Sequence, residues 1–263
     1  MIIAFYKYHG AGNDFVIIDN RNNSINLSKK QIAQICHRRF GIGADGLMSV
    51  ENDYEFDFRM RYYNSDGEEG SMCGNGGRCI VAFAKRLGII SKETTFIATD
   101  GVHKAKINSE NKSISDISLN MNDVDNISIN KGSYFLDTGS PHHISFVDNV
   151  DVINVFEDGR KIRYSDEYKN SNGTNVNFIE VKDEFLKIRT YERGVEDETY
   201  ACGTGATAAA IAYAHKEGIF NKEIKLKAVG GNLSLSFVKE DDVFKEVVLR
   251  GPAEFVFMGT IEL

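Results

Sequence analysis

The chain has 263 residues, with 31 Lys and Arg against 38 Asp and Glu, a net charge of −7. An acidic surface is not drawn toward nucleic acid or anionic membrane, so neither is expected as a partner. With 42% hydrophobic and 26% charged residues the composition is that of a soluble globular protein, one large domain or two modest ones. The longest apolar run, Ala208 to Ala214, falls well short of the ~20 residues of a spanning helix. The start Met-Ile-Ile-Ala-Phe-Tyr-Lys has no basic and apolar leader pattern, and a cytoplasmic protein is expected.

In chain order, Phe15–Asp19 reads as extended and Ser28–Phe40 as a surface helix, N-capped by Ser28 and ended by Gly41. Gly41-Ile-Gly-Ala-Asp-Gly46 is a literal GxGxxG. It stands in the order helix, glycines, strand, the wrong order for a dinucleotide fold, so it carries no cofactor expectation. Leu47–Glu51 and Glu55–Tyr63 are strand-like and lead into Cys73-Gly-Asn-Gly76. The helical stretch Ile80–Leu87 follows and stops at Gly88. Asn120–Lys131, rich in Asn and Asp, suits a linker. Beyond it come extended Ile144–Asp148, Val176–Val181 and Phe185–Tyr191, then Cys202-Gly-Thr-Gly205, the helical Ala206–Lys216 and Gly218.

The second list repeats the first. Cys73 and Cys202 both open C-G-x-G and stand 129 residues apart. The same shift carries Gly10 to Gly139, Asp19 to Asp148, Tyr62 to Tyr191 and Gly101 to Gly230. A duplication is the natural reading. Each half's helix is apolar nearly all round and therefore buried. The expected fold is α+β: two pseudo-symmetric domains, 1–125 and 126–263, each a mostly antiparallel β-sheet or barrel wrapped around a central buried helix. The terminal strand is free to pack on the first half, and the active site is expected in the interdomain cleft.

A cysteine at a glycine-rich helix start gains the partial positive charge and open N–H groups of that terminus, which favour a thiolate. The same donors suit an α-carboxylate. Two such cysteines addressing opposite faces of one carbon could remove a proton from one side and return one from behind. This chemistry predicts a cofactor-independent racemase or epimerase.

Several segments carry a family resemblance: His9-Gly-Ala-Gly-Asn13-Asp-Phe, Asn64-Ser-Asp-Gly, Met72-Cys-Gly-Asn-Gly-Gly-Arg-Cys79, Thr138-Gly-Ser-Pro-His142 and Glu192-Arg-Gly-Val-Glu-Asp-Glu-Thr-Tyr-Ala-Cys202-Gly-Thr-Gly205. They resemble the signatures of the diaminopimelate epimerase family from the first ten residues to Gly251-Pro-Ala253. The resemblance implies interconversion of LL- and meso-2,6-diaminopimelate, on the route to lysine and peptidoglycan precursors, by a thiol pair without pyridoxal phosphate or metal. It also implies a homodimer. It makes Cys73 and Cys202 the acid/base residues, and Gly74, Asn75, Gly203 and Thr204 the carboxylate cradle. Asn13, Asn64, Asn175, Arg193 and Glu192 would bind substrate, with His142 and Glu192 tuning the thiols. Ser140 stands where the family often has Asn and is a further candidate binder; Gly46 stands where some members have Gln.

Other features have plainer readings. Cys36 and Cys79 fall in helical patterns and suit packing. His142-His143 lacks a third ligand at metal spacing and suits a strand. Glu196-Asp197-Glu198 suits a solvated loop before a helix. A proline or hydroxyproline racemase would use the same cysteine logic, but it leaves Asn64, Asn175 and Arg193 without a distal amino-acid head to bind. A binding or redox protein with a Cys73–Cys202 disulfide would keep the duplication and need no polar cluster.

Overall fold

The computed structural model describes residues 1–70, 72–220 and 222–263, with Ser171 as backbone only. The chain divides into two compact units, Met1–Leu119 with Gly251–Leu263, and Asn120–Arg250. Compared with halves of 1–125 and 126–263, the first boundary falls earlier and the last residues return to the first unit. The cause is local pairing. Met121 and Val124 hydrogen-bond to Val247 and Phe244 of the second unit, while Gly251–Glu254 pairs with Ile114–Ile117 of the first.

The first unit contains β1 (Ile2–Gly10), β2 (Asn13–Asp19), α1 (Lys29–Cys36), β3 (Gly46–Glu51), β4 (Arg59–Asn64), β5 (Glu69–Gly70), α2 (Gly74–Arg86), β6 (Glu93–Ala98), β7 (Gly101–Asn111) and β8 (Ile114–Asn120). The second contains β9 (Ile127–Asn130), β10 (Ser133–Asp137), β11 (Pro141–Phe146), α3 (Val155–Arg163), β12 (Asn175–Val181), β13 (Leu186–Glu192), β14 (Asp197–Thr199), α4 (Gly203–Glu217), β15 (Ile224–Ala228) and β16 (Gly231–Glu240). The long β17 (Val243–Glu262) pairs with β16 and, farther along, with β8 and β1.

The pairing pattern is written twice. In the first unit β1/β2 is antiparallel, β2/β3 parallel, β3/β4 and β4/β5 antiparallel, β4/β6 parallel and β6/β7 antiparallel. In the second unit β10 to β16 repeat each of these in the same sequence. The fold class is the expected one: mostly antiparallel sheet around a buried helix, α2 in one unit and α4 in the other.

β2, β3 and β12 are covered on both faces, which explains their near-continuous apolar sequences. Phe15–Ile18 and Leu47–Val50 are buried throughout. One face lies against α2; the other carries a cluster of Ile3, Phe5, Val16, Ile18 and Leu47 closed by Ile32, Ile35 and Cys36 of α1. In the second unit α3 closes the equivalent face over Val176, Phe178 and Tyr191. The sequence reading contains no α3. It is short and highly charged, and its apolar contribution to that cluster is small. The helix read as Ser28–Phe40 stops at Cys36, with Ser28 and Gln31 forming a capping box.

The 129-residue shift does not hold at every landmark. Tyr62 pairs with Met48, whose sulfur stands 3.1 Å from the site of a Cβ on Gly76 in α2. Tyr191 pairs with Val176 and turns to α3, where its Cβ fills the place a Cβ on Gly159 would need. A one-residue slip in register puts the two tyrosines on opposite sheet faces. Among the described residues no helix is long and apolar enough to cross a membrane.

Candidate active site

Cys73 is the N-cap of α2 and Cys202 the N-cap of α4, both with extended backbone. Gly74 and Asn75, and Gly203 and Thr204, therefore form the first turns, whose N–H groups have no partner within the helix. Two further glycines, Gly77 and Gly205, are required by packing. A Cβ on Gly77 would stand 2.8 Å from Leu119 and 2.9 Å from Met72, and one on Gly205 would stand 2.5 Å from the Asn177 carboxamide oxygen. Both cysteines are partly exposed, whereas Cys36 and Cys79 are buried. Burial pushes the Cys36 thiol up to about 12 and that of Cys79 further still, so both are inert packing groups at neutral pH.

Around Cys73 the first unit gathers Asn13, Asn75, Asp45 and Arg78. The Asn13 carboxamide oxygen lies 3.5 Å from the Cys73 sulfur and accepts the Asn75 amide at 3.2 Å. Asn13 donates to Asp45 at 2.7 Å, and Arg38 bridges Asp45 and Asp14 at 2.6 and 2.7 Å. Arg78 is fully buried and donates to the Asn75 oxygen at 2.9 Å, the Gly74 carbonyl at 3.2 Å and the Pro252 carbonyl at 3.3 Å. Burial pushes its pKa down, against the opposing pull of Cys79, Cys73 and Asp116. Asn64 ends β4 opposite Gly46, exposed, its backbone held in the turn by Glu68 and Gly67.

Gly46 has a structural account. A Cβ there would stand 2.6 Å from the Tyr62 ring and 2.6 Å from the Tyr63 carbonyl, so Tyr62 occupies the room a longer side chain would need. A Cβ on Gly70 would stand 3.0 Å from the ring's other edge, and Phe15 meets the ring edge-on.

Around Cys202 the second unit gathers Thr204, Ser140, His142, Asn175 and Asn177. The Cys202 sulfur accepts the Gly205 N–H at 3.4 Å and lies 3.4 Å from the Thr204 hydroxyl. That hydroxyl meets His142 Nε2 at 2.9 Å and Ser140 Oγ at 3.2 Å. Asn175 donates to Ser140 at 3.3 Å and accepts the Arg193 backbone N–H at 2.8 Å, which ties the Arg193 loop to the cluster. Glu192 accepts the Thr199 hydroxyl at 2.9 Å. His142 is fully buried in β11, and burial, reinforced by the Arg193 charge, pushes its pKa down to about 3. It is neutral at physiological pH.

The remaining sequence candidates fall outside the cluster. His143 bonds Tyr168 and Ser145 at 2.7 and 2.8 Å. The acidic run is not a solvated loop: Glu196 pairs with Arg163, Glu198 pairs with Arg189, and Asp197–Thr199 forms β14. Sequence reasoning missed Asp45, Arg78 and Asn177. Asp45 lies inside the GxGxxG run and Arg78 inside the cysteine segment Met72–Cys79.

The family model described as diaminopimelate epimerase matches residues 5–126 and 134–256. A protein of Flavobacterium psychrophilum named diaminopimelate epimerase is 52% identical, covering 98% of this chain and 100% of its own. One of the same name from Chlorobaculum tepidum is 43% identical, covering 97% and 99%. Among solved structures, a Bacillus anthracis phenazine biosynthesis protein of the PhzF family superposes with a TM-score of 0.81 at 16% identity, covering 100% of both chains. A hydroxyproline epimerase from Agrobacterium vitis superposes with 0.73 at 12% identity, covering 100% of this chain and 93% of its own. At such identities these two show a shared fold.

Proposed function

The chain belongs to the diaminopimelate epimerase family, and from that premise we propose how its two helix starts carry out the reaction. The activity is epimerisation of LL-2,6-diaminopimelate to the meso isomer, an isomerase step of lysine and peptidoglycan precursor biosynthesis. The observation that carries the mechanism is the pair of buried helices, each opened by a partly exposed cysteine within a polar cluster.

One thiolate takes the α-proton and becomes a thiol. The other thiol delivers its proton to the opposite face of the same carbon and becomes a thiolate. The chemistry requires both sulfurs to address that carbon, and it needs no cofactor or metal. The carbanion's charge passes into the α-carboxylate, and donors aimed at those oxygens stabilise it. Gly74 and Asn75, and Gly203 and Thr204, supply such donors at the helix starts. Arg193 suits a carboxylate bidentately and Glu192 an ammonium group. Asn13, Asn64, Asn175 and Ser140 complete the binding set. His142, being neutral, acts on Cys202 through Thr204 rather than as a base. The working form we propose is a cytoplasmic homodimer.

The test is incubation in heavy water with LL- or meso-diaminopimelate and, separately, with proline and hydroxyproline. Deuterium should enter the α-position of diaminopimelate, with loss of optical purity. Incorporation into the cyclic amino acids alone would overturn the reading.

A further inference from the structure

We propose that two oriented hydrogen-bond relays place the resting proton on Cys73 and leave Cys202 as the thiolate, with Asp45, Arg78 and Asn177 as the positioning residues that set their direction. The proposal rests on the two-thiol reading of function.

A carboxamide can turn over, so its hydrogen bonds have a direction only when a neighbour with a single role imposes one. The relay at Cys73 has such a neighbour at each end. Arg78 can only donate, so the Asn75 oxygen faces it at 2.9 Å and the Asn75 amide points to Asn13. The Asp45 carboxylate, bridged by Arg38, can only accept, so the Asn13 amide faces it at 2.7 Å. Both constraints turn the Asn13 oxygen toward the Cys73 sulfur. An acceptor in that place favours S–H and repels S⁻.

The relay at Cys202 runs the other way. Asn177 donates to the His143 carbonyl at 3.1 Å and accepts the Thr190 hydroxyl at 2.9 Å, which fixes its amide toward His142 Nδ1 at 3.0 Å. That ring nitrogen is therefore the acceptor, and the imidazole proton sits on Nε2. Nε2–H faces Thr204 Oγ1 at 2.9 Å and Ser140 Oγ at 3.1 Å and donates into this pair of hydroxyls. Ser140, which accepts from Asn175, has its own proton to give to the same oxygen at 3.2 Å. With His142 and Ser140 both able to donate to its oxygen, the Thr204 hydroxyl can turn its own proton to the Cys202 sulfur at 3.4 Å, joining the Gly205 N–H. Two donors on one sulfur favour the thiolate. The two helix starts also differ as caps: the Cys202 sulfur caps its helix and the Cys73 sulfur does not cap its own.

The surrounding charges are mixed at Cys73 and one-signed beside His142. Arg78 pulls Cys73 toward the anion, while Asp45 and Asp14 behind Asn13, and Asp116 near Arg78, oppose it. Lys7 and Arg38 in turn pair those first two carboxylates. On the other side His142 is neutral and the Arg193 cation lies close enough to act on it, with Glu192 engaged by Thr199.

The test is alkylation of the intact chain by iodoacetamide across pH 5–10, each cysteine followed by peptide mass. The midpoint of the Cys202 rate profile should lie at least one pH unit below that of Cys73, a roughly tenfold excess of reactive thiolate at neutral pH. Thr204→Val should slow Cys202 about tenfold at pH 7 and leave Cys73 unchanged, with thermal melting showing that the variant is folded. Asp45→Asn frees Asn13 to turn and should bring the Cys73 midpoint down. Coincident midpoints, or a lower one at Cys73, would overturn the assignment even with α-proton exchange intact. Separated midpoints without any exchange on diaminopimelate would instead remove the functional reading.

Discussion

Acidification should strain the fold at His142 first. The imidazole is fully buried and its pKa falls from 6.5 to about 3, burial being the main cause and Arg193 the second. Protonating Nδ1 would also set N–H against the Asn177 amide, now 3.0 Å away and donating. The unfolded chain binds this proton near pH 6.5 and the folded chain only near pH 3, so the unfolded state gains as pH falls between the two. Stability is therefore complete above pH 6.5 and declines below it, by roughly 1.4 kcal/mol per pH unit. At pH 5 the loss from this one group is about 2 kcal/mol, a large part of a typical ~5–15 kcal/mol stability. Urea unfolding at pH 7 and pH 5 measures it, with His142→Gln as the reference that lacks the group. The wild type should lose about 2 kcal/mol more than the variant. Nitrogen chemical shifts of the ring give an independent readout and should remain those of a neutral Nε2–H tautomer at pH 5. Equal pH slopes in the two proteins, or a ring that titrates near 6.5, would refute the reasoning.

Two substitutions follow from the helix starts. Cys73→Ala and Cys202→Ala should each lower epimerisation by at least roughly 10²–10⁴-fold in a coupled or optical assay, the usual worth of positioned acid/base assistance. Gly205→Ala drives a Cβ to 2.5 Å from the Asn177 oxygen and 3.3 Å from both Cys202 and His142. It should cost about 1–3 kcal/mol by denaturant unfolding and most of kcat, whereas Gly218→Ala, at φ 65° with nothing within 4 Å, should cost about 1 kcal/mol and spare kcat.

The features legible in the sequence were local ones. The C-G-x-G segments announced two helix starts because glycine, cysteine and the apolar run behind them lie within one short stretch. The duplication was legible for the same reason, since each half repeats its landmarks in order. Faces and polarity were not. Tyr62 and Tyr191 align in sequence yet turn to opposite sides of their sheets, because a one-residue change of strand register inverts every side chain. The positioning residues were hidden in another way. Asp45 reaches Asn13, and Asn177 reaches His142, only after parallel strands far apart in the chain have paired. Arg78, one turn beyond Cys73, looks like a surface arginine in the sequence and is fully buried in the fold.

Duplication supplies two equivalent helix starts, yet inversion needs them unequal at every instant, one sulfur carrying the proton and the other without it. Identical surroundings would spread the proton evenly over the pair, as in other coupled dyads. The opposed relays at Cys73 and Cys202 break that tie, and cysteine-to-serine variants should reveal it. In Cys73→Ser the remaining Cys202 is already a thiolate. It can remove the α-proton of the one epimer that presents hydrogen to its face and return solvent deuterium there. In Cys202→Ser the remaining Cys73 is held as a thiol by Asn13, and a serine hydroxyl is too weak an acid to replace the lost anion. Exchange by this variant at neutral pH should therefore be at least about tenfold slower, and it should rise more steeply with pH as Cys73 ionises. Each variant should prefer the opposite epimer. Mass spectrometry of recovered LL- and meso-diaminopimelate from heavy water reads both effects. Equal exchange rates in the two variants at neutral pH would mean that the duplicated halves share the proton evenly, and the relays would then be packing devices without a part in the chemistry.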